Sequence, residues 1–258
     1  MRFSVALICV MVIASGCGPS ERERFEATEK LLSAWDMETN QSRADYIRVL
    51  ISEGANVNAK DKNGRTPLML ASDPEVIKVL RDAGANGYTT EEVAEATAKL
   101  HRSFKQLQNP WVDQVRDLIS KGADVNGKDL NGWTPLMLAV YKFPSPKIIE
   151  LLLEKGADVN ARHDATGFTP LALAARNNPT TAFAELLIDQ GADVNARTSS
   201  GWTTLMVCLR FNDFPEMVTL LIQSGADVNA KDKTGRTTLS FASTAETKKL
   251  LIDAGAKE

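Results

Sequence analysis

The sequence predicts an all-α repeat solenoid, built from stacked helix–turn–helix repeats with protruding β-hairpin fingers. Three observations carry that expectation: a Gly-Ala turn recurring along the chain, a Gly-x-Thr signal recurring in phase with it, and short apolar runs at helical spacing between the two. The Gly-Ala turns begin at Gly54, Gly84, Gly122, Gly156, Gly191, Gly225 and Gly255. Their spacings are 30, 38, 34, 35, 34 and 30 residues, and the first short interval is made good by the long one after it. A period near 34 residues marks supersecondary repeats too small to hide their own apolar faces, so neighbours must stack.

Each repeat can be derived locally. In Asp129-Leu-Asn-Gly132-Trp133-Thr134-Pro135-Leu136, the Asp-x-Asn-Gly opening is turn chemistry, with Gly132 free to take a positive φ. Thr134 offers its hydroxyl as a helix N-cap, and Pro135 stands at the first helical position, where its missing N–H is no loss. Leu136, Leu138 and Ala139 start a short first helix; Ile148, Ile149, Leu151, Leu152 and Leu153 form a second that is apolar around most of its circumference. Gly156 ends it, and Ala-Asp-Val-Asn-Ala leads out towards the next finger.

The same grammar returns at Gly64-Arg-Thr-Pro-Leu68, Gly167-Phe-Thr-Pro-Leu171, Gly201-Trp-Thr-Thr-Leu205 and Gly235-Arg-Thr-Thr-Leu239. In period and in both linked motifs the chain resembles the ankyrin-repeat family, over roughly residues 26–258. The expected domain runs over 25–258 with about seven repeats: an opening one ending at Gly54, then repeats one to six, with the opening, second and last atypical. The His usual in the family's T-P-L-H motif is absent, replaced by Met69, Met137, Ala172, Met206 and Ser240. Its inter-repeat hydrogen bonds must therefore be missing or replaced. Thr204 and Thr238 stand where Pro is usual, and Ala71-Ser-Asp-Pro74 and Ala242-Ser-Thr-Ala-Glu246 leave little room between helices, so about one turn is lost in repeats one and six.

Between Gly87 and Asn109 no Gly-x-Thr-Pro-Leu occurs. A helix with Thr90 as N-cap and Val93, Ala94, Thr97 and Leu100 along one side is expected there, as a degenerate first helix of repeat two. It is either neutral drift or the builder of a notch in the binding face. Upstream, Arg22 to Trp35 reads as a helix whose Phe25, Leu31, Leu32 and Trp35 can cover the first full repeat, and Ala44 to Glu53 reads as its companion.

The N-terminus is of another kind. Arg2 supplies a thin positive region, and Val5 to Ala14 is an apolar stretch too short to span a bilayer. Ala14-Ser15-Gly16-Cys17 resembles a bacterial lipobox. That resemblance implies a signal peptide over 1–16, a diacylated Cys17, and a tether to residue 24. It places the protein in the bacterial envelope, lipid-anchored and facing the periplasm, with Gly18 favouring the outer membrane. Multiple acyl chains suffice for stable anchoring without a membrane-spanning helix. The alternative is an ordinary secretory signal cut nearby, with Cys17 incidental.

Composition narrows the chemistry. Aromatics are 6% and hydrophobics 43%, which suits a helical solenoid rich in Ala and Leu. The net charge of −3, about −4 once Arg2 is removed, gives no basic stripe for nucleic acid. Of three cysteines, Cys9 leaves with the signal and Cys17 takes lipid, so Cys208 remains as a buried thiol with no disulfide partner. His101 and His163 are far apart and have no second ligand at metal spacing. Asp61-Lys-Asn63-Gly64 and Asp129-Leu-Asn131-Gly132 imitate a calcium-loop opening without its closing acid. With no phosphate loop, nucleophile elbow or cofactor motif, no enzyme, metal or cofactor is expected.

Recognition remains. The resemblance implies a concave binding surface made by finger tips and first helices, onto which the residue between Gly and Thr points. Those residues are Arg65, Trp133, Phe168, Trp202 and Arg236; Tyr141, Lys142, Arg176, Asn177, Arg210 and Phe211 extend the row. Aromatic and Arg side chains are what interface hot spots are made of, although each Trp could equally cover the neighbouring finger. The expected function is capture of a protein partner by a monomer, as a scaffold for an envelope protein. The alternative is an immunity protein that occludes the active site of a toxin delivered to the periplasm.

Overall fold

The computed structural model describes residues 19–36, 42–106, 112–142, 145–177 and 180–257. Cys17 and the apolar stretch before it lie outside the described residues. The chain divides into two compact units, one ending at Ala94 and the other running over Glu95–Glu258. Each has its own apolar core.

In the first unit, α1 (Glu21–Ser33) opens with a complete capping box between Ser20 and Glu23. Its first turn takes in residues 21–24. Ala27, Leu31 and Ala34 form its buried face, against α2 (Arg43–Ser52). Phe25 is 67% exposed and covers nothing, which corrects its expected role. It stands two residues, about 200° around the helix, from Ala27. In repeat one, Thr66 caps α3 (Pro67–Leu70), which is a single turn, as the missing loop implied. Asp73 caps α4 (Pro74–Asp82), which packs on α2 through Val76, Val79 and Leu80.

The degenerate helix of repeat two is α5 (Thr90–Gln106), 17 residues long. Its N-cap is Thr89, not Thr90: the Glu92 N–H donates to Thr89 Oγ1 at 3.1 Å, and Glu92 Oε2 accepts from the Thr89 N–H at 2.7 Å. A Glu three residues on makes the earlier threonine the better cap. The buried side is Ala96, Leu100, His101, Ser103 and Phe104, while Ala94 is exposed. Its partner in repeat two is α6 (Val112–Ser120).

Repeats three to five follow the expected plan, as α7 (Pro135–Lys142) with α8 (Pro146–Glu154), α9 (Pro170–Asn177) with α10 (Ala182–Asp189), and α11 (Thr204–Phe211) with α12 (Pro215–Gln223). The first helices α7, α9 and α11 pack side by side and bury nearly every residue. Repeat six closes the array with a 3₁₀ turn, Thr238–Phe241, and α13 (Ala245–Asp253). All seven Gly-Ala glycines take φ between 85° and 90°, as the helix-ending role requires.

The fingers differ from the expected β-hairpins. Among the described residues they contain only the isolated bridges Arg197–Thr203 and Lys231–Thr237. The physical reason is the polar residue that opens the finger, an aspartate in repeats one, three and six, His163 in repeat four and Thr198 in repeat five. Asp129 Oδ1 accepts the N–H groups of Asn131 and Trp133 at 2.8 and 3.0 Å, and Asp232 Oδ1 those of Thr234 and Arg236 at 2.8 and 3.0 Å. A side chain satisfies the donors that a ladder would have paired.

With the family histidine absent, asparagines of the Gly-Ala turns link neighbouring repeats. Asn126 donates to Gly156 O at 2.9 Å and accepts from the Asp158 N–H at 2.7 Å. Asn160, Asn195 and Asn229 repeat this bridge to the next Gly-Ala turn, and Asn58 does so within the first unit. Where the preceding repeat is atypical, a threonine accepts instead: Thr28 from the Asn56 N–H and Thr97 from the Asp124 N–H.

Candidate functional site

The first helices and fingers of repeats four to six gather a continuous group of rings and guanidiniums. Phe168 and Trp202 sit half-buried at the base of their fingers. Arg176, at the end of α9, lies 5.6 Å from the Phe168 ring centroid and 4.4 Å from that of Phe211, at the end of α11. Arg210 approaches the same Phe211 ring at 5.7 Å. Trp202 contacts Phe211 at 6.0 Å and Phe241 at 5.3 Å, and Arg236 covers Trp202 at 5.7 Å and Phe241 at 4.8 Å. Cation–π pairing holds each charge on a ring that it would otherwise only neighbour. Phe211 remains 46% exposed, so the group is an open surface.

Asp232 anchors one end. Its Oδ2 accepts from Trp202 Nε1 at 3.2 Å and from Arg236 Nε at 2.9 Å. Burial alone would push its carboxyl up; hydrogen bonds from Thr234 and Arg236 outweigh that and hold it well below the ordinary carboxylate range. Trp202 therefore binds the neighbouring finger as well as facing outward.

Trp133 and Tyr141 form a second group in repeat three, with ring centroids 5.1 Å apart. Trp133 also meets His163 of the next finger edge-on at 4.9 Å. Behind it, His101 Nε2 lies 3.1 Å from Trp133 O and Lys105 pairs with Asp129 at 2.8 Å. The long α5 thus braces this finger. Tyr141 is 40% exposed. Arg65 belongs to the first unit, where its guanidinium is folded onto Asp61 at 2.8 Å and, among the described residues, has no ring beneath it.

Of the expected surface residues, then, Phe168, Arg176, Trp202, Arg210 and Arg236 share one group; Trp133 and Tyr141 share another; Arg65 is in neither. Sequence reading missed Phe241 and Asp232. Phe241 carried a signal, since it stands where repeats three to five have Leu138, Leu173 and Val207. Asp232 read only as a turn residue. Cys208 is fully buried, and desolvation pushes its thiol up to about 12, so it is inert. Among the described residues, no group of three or more His, Cys, Asp or Glu could hold a metal, and no helix is long and apolar enough to cross a membrane.

Helix pairs at this period, helix-ending glycines and linked fingers define a repeat protein whose exposed side chains are shaped for contact. The ankyrin-repeat family matches three times, over residues 104–163, 161–232 and 183–257. The chain belongs to the ankyrin-repeat family, whose repeats are protein–protein interaction modules. It is 33% identical over 63% of its length to the putative ankyrin repeat protein FPV031 of fowlpox virus, covering 46% of that protein. It is 32% identical over 46% of its length to the mouse B-cell lymphoma 3 protein homolog, and 31% identical over 57% to human Rabankyrin-5. It covers 27% and 15% of those two, so the chain spans less than half the length of each.

Proposed function

We propose that this chain is a monomeric, non-enzymatic protein-binding module, held at the bacterial envelope by lipid on Cys17 and facing the periplasm from the outer membrane. The observation that carries the binding reading is the group Phe168, Arg176, Trp202, Arg210, Phe211 and Arg236. Its side chains are held by mutual contacts yet keep Arg210, Phe211 and Arg236 exposed. Preordered aromatic and Arg side chains lose little entropy on binding, which favours them as anchors. Tyr141 and Trp133 would extend the contact to repeat three. The anchoring reading rests on Ala14-Ser-Gly-Cys17 after an apolar stretch.

Residues 19–258, immobilised and exposed to periplasmic and secreted extracts, should capture one stoichiometric protein. A Tyr141→Ser plus Phe211→Ser variant should keep its helical circular dichroism and lose that capture. Equal capture by the variant would move the binding surface elsewhere. The captured protein's identity separates a scaffold from a toxin-neutralising role. For the anchor, Cys17→Ser should leave the protein soluble or uncleaved; unchanged membrane attachment would refute lipidation.

A further inference from the structure

Every finger aspartate on the ring-bearing face already has a partner: Asp129 pairs with Lys105, Asp164 with Lys128, and Asp232 with Arg236. Asp213, in the loop after α11, caps the turn before α13 through Ser243 and Thr244. Among the described residues, Arg176 and Arg210 have no carboxylate partner at all. Both are nonetheless drawn onto one ring, 4.4 and 5.7 Å from the Phe211 centroid. Two like charges at one ring repel, and among the described residues no ion pair neutralises either one. Glu185, Glu216 and Glu246, on second helices, line one groove.

We propose that this face takes an acidic segment of a partner protein, with carboxylates on Arg176 and Arg210 and an intervening apolar side chain on Phe211. This rests on the protein-binding reading and gives it a partner chemistry. A carboxylate between the two guanidiniums relieves their repulsion and makes charge-assisted hydrogen bonds that neither arginine now has. A planar guanidinium fork matches a carboxylate bidentately. A segment rich in Lys or Arg would meet uncompensated repulsion there and be rejected.

The test uses the full chain in detergent, with fluorescence anisotropy of three probes: a short labelled peptide repeating Glu-Phe-Glu-Gly, its Gln-Phe-Gln-Gly counterpart, and a thymidine oligonucleotide of equal length. The acidic peptide should bind, with Kd rising as salt is added. The Gln peptide should bind about tenfold more weakly, as should the acidic peptide to an R176Q/R210Q variant whose circular dichroism is unchanged. Equal binding of the two peptides, no effect of the double variant, or an oligonucleotide bound as tightly as the acidic peptide would each overturn the proposal. If the extract capture above persists with R176Q/R210Q, the acidic-segment proposal fails while the protein-binding reading stands. If the wild-type chain captures nothing, that reading fails first.

Discussion

Arg65 and Arg236 occupy the same place in their fingers, four residues after an aspartate that each one grips at 2.8 Å. Their local chemistry is the same and their surroundings are not. Asp61 keeps 13% of its side chain exposed and Asp232 1%; among the described residues Arg65 has no ring beneath it, while Arg236 lies over Trp202 and Phe241. The finger motif therefore supplies an ion pair by itself. A binding surface arises only where rings from neighbouring repeats come under the guanidinium. In repeat six the 3₁₀ turn delivers Phe241 to that place; in repeat one the single turn α3, Pro-Leu-Met-Leu, carries no ring to deliver.

The largest break in that contrast should come from Trp202→Ala. It removes contacts with Phe211, Phe241 and Arg236 and the bond to Asp232, and should lower the stability of the second unit by about 2–3 kcal/mol in urea melts. Next, Asn160→Ala leaves Gly191 O and the Asp193 N–H without their bridge and should cost about 1–2 kcal/mol. A similar loss is expected from Asp213→Ala, about 1–2 kcal/mol. There the backbone sits at φ 44°, which Asp tolerates better than Ala, and the bonds to Ser243 and Thr244 disappear. Differential hydrogen exchange should place that effect in α13.

Acid sharpens the comparison further. The Asp232 carboxyl is held below its unfolded value, which is about 3.9. Its contribution is fully present above that pH and is lost as pH falls through the folded value, because the unfolded chain then binds the extra proton. Asp232→Asn should therefore flatten the acid limb of the stability–pH curve below about pH 4, as followed by urea midpoints. The smallest effect is expected from Arg65→Ala, within about 0.5 kcal/mol of wild type, since an exposed pair is screened by water.

Much of the fold was legible because helix ends are written in single residues. Thr66, Thr134 and Thr203 stand before helices, and the Gly-Ala glycines stand after them. Errors fell where two local signals competed. Thr89 and Thr90 are adjacent candidate caps, and only Glu92 decides between them. The fingers were expected as β-hairpins, but the side chains that open them, Asp61, Asp129, His163, Thr198 and Asp232, took backbone donors. At the site, residue types were legible and groupings were not. Phe168, Arg176 and Phe211 lie in two repeats and on three elements; their contact depends on how α9 and α11 pack.

Sequence alone determined the repeat period, the helix-ending glycines, the single-turn α3 and the ankyrin class, because all depend on contacts within a few residues of backbone. Only tertiary structure decided that asparagines of the Gly-Ala turns link one repeat to the next. It alone decided which arginines are neutralised and which are left stacked on rings without an anion. Those outcomes depend on residues about one repeat apart, such as Trp202 and Asp232, 30 positions away in the chain and 3.2 Å apart in space. Their distance is set by the packing of whole repeats, and no local propensity encodes it.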